Sequence, residues 1–325
     1  MINLKTVFAG LELSNPIIVS SSGLTDKLEK IRKLEEYGAG AVVLKSIFEE
    51  QILFEADKLM ETSDYPEAVD YIRNYTRNNS LDQYLDLIES AKKSVSIPVI
   101  ASVNCVSSSE WTDFAKKIEE AGADALELNV YFIPLNMDYS SVDYEKIYLD
   151  LLRDIKKKIS IPVILKLGTN FTHPVKFVEQ LYHRGADGLV LFNRFYSPDI
   201  NIDDMKMTSS DILSSPSDIR LSLRWVAIIS SLVKEIPLAA STGVHTGKAI
   251  VKQLLAGARA VQVCSVLYKE GPAYLTQLKK ELEDWMSEKN FESLGQFIGK
   301  MNYDNIGDPA IYERSQFMRY FSSIH

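Results

Sequence analysis

Short, almost wholly apolar runs recur along the chain, separated by stretches with helical spacing. One kind of run opens on proline: Asn15-Pro16-Ile17-Ile18, Ile97-Pro98-Val99-Ile100, Ile161-Pro162-Val163-Ile164 and Ile236-Pro237-Leu238-Ala239. The other kind follows a Gly-Ala step, at Gly38-Ala39, Gly122-Ala123, Gly185-Ala186 and Gly257-Ala258. From each of these prolines to the next of these glycines is 22, 24, 23 and 20 residues. Each interval carries a helical pattern, such as Trp111-Thr112-Asp113-Phe114-Ala115-Lys116-Lys117-Ile118. Runs this short and apolar suit parallel strands covered on both faces. Proline is tolerated at a strand's first position, and glycine suits the end of the helix before the next strand.

The pattern predicts four β-helix-β units, with strands near 16–20, 41–45, 98–104, 124–130, 162–167, 187–193, 237–241 and 259–264. Eight alternating strands define an α/β protein and favour a (β/α)8 TIM barrel. An open doubly wound sheet is the alternative, and the fourfold regularity argues against it. Residues 3–15 read as an N-terminal hairpin, and residues 273–301 as two helices of a C-terminal helical extension. The segments 46–95, 131–160 and 194–235 exceed the usual ~2–6-residue βα loop even after their helices are counted. Residues 1–301 are expected to form the barrel domain, and 302–325 a polar, aromatic tail.

Composition narrows the function. A chain of 325 residues accommodates one barrel with additions. Its 46% hydrophobic and 25% charged residues are those of a globular protein. A net charge of −8 without a basic run argues against nucleic acid. Two cysteines, Cys105 and Cys264, cannot build a disulfide framework or a four-thiolate metal site. His173, His183, His245 and His325 show no metal-ligand spacing, so no metal is expected. The N-terminal stretch lacks the apolar core of a signal peptide, and no apolar run reaches the ~18 residues of a membrane span. A cytoplasmic protein without a membrane partner is expected.

In a barrel, chemistry belongs at the C-terminal strand ends. Those ends read Ser20-Ser21-Ser22-Gly23, Lys45-Ser46, Asn104-Cys105, Asn129, Lys166, Asn193, Ser241-Thr242-Gly243 and Cys264-Ser265. The strand interiors are almost wholly apolar, so these residues form a polar ring over an apolar barrel and suggest a ligand site for a small molecule. Thr242-Gly243 and Cys264-Ser265, with His245-Thr246-Gly247 opening the next helix, offer backbone N–H groups to a phosphate. Lys45 and Lys166 can stabilise developing negative charge or form a Schiff base. Asn104, Asn129 and Asn193 can donate and accept at the edges of a planar heterocycle. Tyr131 follows Asn129 closely enough to reach the site. For each of these residues an ion pair, a buried turn or a packed loop aromatic is the competing explanation.

With these residues placed, the chain resembles the dihydroorotate dehydrogenase family of FMN-dependent barrels over roughly residues 3–300. Leu4-Lys5-Thr6-Val7, Gly10-Leu11 and Asn15-Pro16 resemble its opening hairpin. Ser21-Ser22-Gly23 is similar to its Ala-Ser-Gly turn beneath the flavin, and Lys45-Ser46 to its Lys-Ser pair near flavin and substrate. Lys166, Asn129 and Asn193 fall where the family places a flavin-edge lysine and two ligand-binding asparagines. Ser241-Thr242-Gly243-Val244, Leu254-Leu255-Ala256-Gly257-Ala258, Val261-Gln262-Val263-Cys264-Ser265 and Lys269-Glu270-Gly271-Pro272 resemble its phosphate segment.

The chain departs from the family where the catalytic base stands. The motif Asn-x-Ser-Cys-Pro-Asn is here Asn129-Val130-Tyr131-Phe132-Ile133-Pro134, with neither Cys nor Ser at the base position. The Asn-rich substrate loop is replaced by a segment holding Arg73, Asn74, Arg77, Asn78 and Asn79, and the Gly-rich turn after strand six by Ser214-Ser215-Pro216-Ser217. The resemblance implies an FMN-dependent oxidoreductase acting on CH–CH bonds in pyrimidine biosynthesis, on dihydroorotate or a related substrate. Lys45 and Tyr131 would act on the substrate. Ser21, Ser22, Lys45, Ser46, Asn104, Asn129, Lys166, Asn193, Thr242, Gly243, Cys264 and Ser265 would hold FMN. It also implies a homodimer with an unspecified electron-transfer partner. A flavin-binding protein without turnover, and a non-redox phosphate-binding lyase using a Schiff-base lysine, stay open as alternatives.

Overall fold

Every predicted apolar run forms a parallel strand in the computed structural model, which describes residues 2–48, 69–104, 109–130, 133–194, 198–209 and 211–313. A hairpin of β1 (Thr6–Phe8) and β2 (Leu11–Leu13) comes first. The barrel strands are β3 (Ile17–Val19), β4 (Ala41–Val43), β6 (Val99–Asn104), β7 (Ala125–Asn129), β8 (Val163–Leu167), β9 (Gly188–Leu191), β12 (Leu238–Ser241) and β13 (Ala260–Val263). A short β5 (Ile47–Phe48) extends the edge of β6, and β10 (Pro198–Asn201) and β11 (Lys206–Ser209) form a separate antiparallel hairpin after β9. Pairing runs parallel around the ring, and β3 lies between β4 and β13. Val42 and Val43 of β4 pair with Val99 and Ile100 of β6, which closes the sheet. That closure excludes the open doubly wound sheet.

The four Gly-Ala glycines all turn left-handed, at φ +92° for Gly38 and Gly122, +98° for Gly185 and +116° for Gly257. In this region an L side chain is strained, so glycine ends each helix and redirects the chain into a strand. The surrounding helices include α1 (Leu28–Glu36), α2 (Val69–Ser94), α3 (Ser109–Glu120), α4 (Ser141–Lys156), α5 (Pro174–His183), α6 (Ile219–Leu232) and α7 (Gly247–Ala256). After β13 come α8 (Ser265–Glu270) and α9 (Tyr274–Glu288).

The hairpin plugs the barrel's N-terminal end. Phe8, Ala9 and Leu13 pack with Ile18, Val43, Ile100, Ile164 and Val190, which point inward. Gly188 makes room for the plug, because a Cβ there would stand 3.0 Å from that of Ala9 and 3.1 Å from the Phe8 ring. At this end the repeat also carries a polar device. Asp124 Oδ2 accepts from Val99 N at 2.7 Å and from Lys92 Nζ at 2.6 Å. Asp187 Oδ2 does the same for Val163 N and Lys156 Nζ, at 2.7 and 2.8 Å. Glu35 and Glu119 each accept from a Ser-Ile pair just before a strand proline, at Ser96-Ile97 and Ser160-Ile161.

Two expectations change. Residues 273–301 hold one α-helix, not two. After α9 the chain turns through Asn290 at φ +58°, makes a single 3-10 turn at Leu294–Gln296, and turns again at Gly299 at φ +78°. The described part of the tail, 302–313, runs along α6: Tyr303 N donates to Ala227 O at 3.0 Å, and Asp304 N to Ser231 Oγ at 2.9 Å. The strand interiors are also less apolar than the sequence suggested, because Ser102, Glu127 and Gln262 are buried inside the barrel.

Candidate active site

A cavity of about 780 Å³ opens at the C-terminal ends of the strands. Strand alternation builds its floor, since each second residue faces the barrel axis. Going up from Ile164, the next inward position on β8 is Lys166; from Ala125 on β7 it is Glu127, then Asn129; from Ala260 on β13 it is Gln262. Lys166 is 6% exposed, Glu127 0% and Gln262 2%.

These side chains form one connected network. Lys166 Nζ donates to Ser20 Oγ and to Gln262 Oε1, both at 2.9 Å. Ser20 Oγ donates to Gln262 Oε1 at 3.1 Å, and Gln262 Nε2 donates to Glu127 Oε2 at 2.5 Å. The second carboxylate oxygen, Glu127 Oε1, lies 4.0 Å from Lys166 Nζ and has no hydrogen-bond partner among the described residues. An ammonium held by two acceptors near a carboxylate is a fixed positive charge at the base of the cavity.

Above the floor, Asn193 Nδ2 donates to Asn129 Oδ1 at 2.8 Å, so the two predicted asparagines stand together in the cavity wall. Lys45 is exposed and lines the same cavity. Ser21 and Ser46 line it too, but their hydroxyls are 2.9 Å apart, and Ser46 Oγ is 2.7 Å from Ser102 Oγ. Those contacts tie the ends of three strands together. Behind Ser102, the Tyr84 hydroxyl accepts from its amide at 2.7 Å, and burial pushes that phenol well above its ordinary range.

Ser22 and Cys264 meet at the cavity edge. Burial raises the Cys264 thiol, while the Ser22 hydroxyl and the Lys166 charge act in the opposite direction. Thr242, at φ +76°, and Gly243, also at φ +76°, form the turn after β12. Gly243 is required by packing: a Cβ there would stand 2.1 Å from Ile219 N. The amides of Gly243 and Ser265 donate to no described residue. The start of α7 is different from what its sequence suggested. Gly247 N donates to Glu281 Oε2 at 2.6 Å and Ala249 N to Thr246 Oγ1 at 3.2 Å, so protein groups already cap that helix.

Several lining residues were not singled out from the sequence. Arg194 donates to the carbonyls of Ile212 and Asp211, at 2.5 and 2.6 Å, and so folds the 211–214 segment into a wall. Ser265 Oγ accepts from Ser214 N at 3.0 Å, Ser214 Oγ is 3.0 Å from His245 Nε2, and Lys269 Nζ donates to Ser214 O at 2.9 Å. Glu127 and Gln262 carried a signal, as polar residues flanked on both sides by apolar ones in the runs ALELN and AVQVC. Asn104 ends β6 half-buried and is not among the lining residues. Tyr131 and Cys105 lie outside the described residues. No three His, Cys, Asp or Glu side chains gather to hold a metal, and no helix is long and apolar enough to cross a membrane, among the described residues.

A closed (β/α)8 barrel with a lysine-floored cavity at its strand ends defines a barrel of the kind that carries a small-molecule site at that face. Comparison with known proteins makes the assignment particular. The family model for dihydroorotate dehydrogenase matches residues 3–286. The dihydroorotate dehydrogenase B (NAD(+)) catalytic subunit of Thermoplasma volcanium is 28% identical, over 92% of this chain and 98% of that protein. The corresponding subunit of Methanocaldococcus jannaschii is 24% identical, over 91% and 97%. A putative dihydroorotate dehydrogenase A (fumarate) of Aquifex aeolicus is 27% identical, over 91% and 98%. The chain belongs to the dihydroorotate dehydrogenase family, and it is an oxidoreductase acting on a CH–CH bond.

Proposed function

We propose that this chain binds FMN in the cavity and oxidises dihydroorotate, or a closely related cyclic CH–CH substrate. The observation that carries the reading is the Lys166 ammonium, fixed at the cavity floor with one N–H left over for a ligand. The residues present fit the cofactor. The volume lies within the ~300–1,000 Å³ of small-molecule sites, an anion-favouring charge stands at the floor, and unused amides stand at Gly243 and Ser265.

Bound there, the isoalloxazine supplies the hydride acceptor that no side chain provides. Lys166 would favour negative charge on the reduced ring. Asn129 and Asn193 would hold ring or substrate through their amide edges, together with the Ser21-Ser22 turn. Thr242, Gly243, Cys264 and Ser265 would hold the phosphate of FMN. Lys45 would contact flavin or substrate from the cavity wall, with Ser46 beside it. Tyr131 takes the substrate proton in place of the family's Cys or Ser. Lys166 is poorly suited to Schiff-base chemistry, which needs a free neutral amine, because its nitrogen already donates twice. We further propose a cytoplasmic homodimer that passes electrons to a separate acceptor.

The test is the visible spectrum of the purified protein, release and identification of any chromophore, and anaerobic addition of dihydroorotate. Released FMN that dihydroorotate bleaches supports the whole reading. FMN that dihydroorotate does not reduce supports the site and removes the substrate. A colourless protein that takes up no added FMN sinks the proposal.

A further inference from the structure

We infer that Glu127 and Gln262 are positioning residues that set how much positive charge Lys166 presents to the cavity. The inference rests on the proposed reading of Lys166 as the cation facing a bound flavin.

The argument starts from cost. A carboxylate with 0% exposure inside an otherwise apolar barrel is strongly unfavourable unless charge and hydrogen bonds compensate it. Here the compensation is indirect. Glu127 does not grip Lys166; its nearer oxygen stays 4.0 Å from Nζ, and the hydrogen-bonded link runs through the Gln262 amide. The amide can point only one way. With Oε1 toward Lys166 and Ser20 and Nε2 toward Glu127, every donor meets an acceptor. Turned over, its NH2 would face an ammonium and its oxygen a carboxylate. The carboxylate therefore orients the amide, and the amide, with Ser20, claims two of the three N–H groups of Lys166. The third remains for a ligand in the cavity.

This arrangement separates two tasks that a direct ion pair would merge. The buried site holds opposite charges close to each other, yet the carboxylate stays out of contact with the ammonium. A direct Glu–Lys contact would quench the field that the ligand feels. One amide of spacing keeps that field while fixing the direction of Nζ.

Exchanging the two side chains tests this with almost no change in shape. In the double variant Glu127→Gln/Gln262→Glu the hydrogen-bond chain is preserved, and the carboxylate moves into contact with Lys166. Moving that charge from 4.0 Å to the 2.9 Å of the present amide contact should partly cancel the field that stabilises the reduced flavin. The midpoint potential of bound FMN should then fall below the parental value. An exchange variant that folds, binds FMN and keeps the parental potential overturns the inference. A role in barrel stability alone would move the melting temperature and leave the potential in place.

Should the exchange variant not fold, a double-mutant cycle on flavin-free protein takes its place, with Glu127→Gln, Lys166→Met and their combination unfolded in urea. The inference expects the combined variant to be less destabilised than the sum of the singles, and additivity overturns it. The proposed function fails separately: a parent that takes up no FMN, or Lys166→Met with an unchanged FMN potential, removes the flavin-facing reading while the cycle still reports on the network.

Discussion

The two ends of the barrel use the same polar residue types to opposite effect. At the N-terminal end Asp124 and Asp187 bind the first amide of the preceding barrel strand, and Glu35 and Glu119 bind the amides just before β6 and β8. Behind them, Phe8 and Leu13 fill the axis. At the C-terminal end Lys166, Gln262 and Glu127 bind one another, and Asn129 binds Asn193, around a cavity of about 780 Å³. Polar groups that bind the backbone lock strands in register. Polar groups that bind each other beneath an open space keep unused donors for a ligand. Damage to one end should therefore be read in stability, and damage to the other in chemistry.

Lys166→Met should give the largest effect. Loss of the floor cation is expected to slow flavin reduction by about 10²–10³-fold, as removal of an electrostatic stabiliser does elsewhere. Thermal stability should fall as well, because the methionine leaves the buried Glu127 carboxylate without its countercharge. Stopped-flow reduction and a melting curve on the same sample decide it. Parental reduction kinetics would remove Lys166 from the chemistry.

Phe8→Ala is the counterpart at the closed end. The ring is fully buried in the plug, so its truncation should cost about 3–5 kcal/mol by urea unfolding. Reduction kinetics per folded molecule should stay within about twofold, since a change in kinetics rather than folded fraction needs an altered transition-state interaction. A large kinetic defect in the folded fraction would mean that the two ends are mechanically coupled.

The closed end was the more legible in sequence. Its strands announce themselves by proline and its turns by glycine, and Gly38, Gly122, Gly185 and Gly257 all adopt the left-handed conformation that their position required. The candidate site was legible where chemistry-bearing residues end a strand, as with Lys166, Asn129, Asn193, Thr242 and Ser265. It was not legible where a residue acts from inside a strand or across the fold. Glu127 and Gln262 meet although 135 positions separate them, and only barrel closure brings β7 and β13 to face each other. Arg194 shapes the wall by reaching carbonyls of a later segment, which its local sequence does not reveal. Thr246-Gly247 at the start of α7 suggested free amides for a phosphate, but Glu281 from α9 already accepts from Gly247 N.

Asp124→Ala probes the repeated stitch. It leaves Val99 N–H without its acceptor and Lys92 without its partner. The expected loss is about 1–3 kcal/mol, the cost of an orphaned donor, with the FMN potential unmoved. Asp187→Ala should behave alike, because Val163 and Lys156 repeat the geometry. Unequal losses would show that the repeat is one of sequence only.

The smallest expected effect separates the two ends along the pH axis. At the closed end, the Ser160 hydroxyl and nearby amides hold the Glu119 carboxyl below its ordinary value. Stability from this contact is present above the unfolded value of about 4.5 and is lost as pH falls below it. At the open end, burial and then the Lys269 charge hold His245 below the ordinary imidazole value of 6.5, against the opposing pull of Ser214, Asp218 and Glu270. The fold prefers the neutral ring, so stability is full above about 6.5 and declines as pH falls through it, until the folded ring also takes its proton. One proton limits the slope to about 1.4 kcal/mol per pH unit. Urea midpoints from pH 8 to 4 should therefore fall in two stages, and His245→Gln should flatten only the upper one. Because Ser214 links His245 to the cavity wall, that upper stage should also coincide with weaker FMN retention. If His245→Gln leaves the upper stage in place, the acid sensitivity lies elsewhere and the open end is as pH-stable as the closed one.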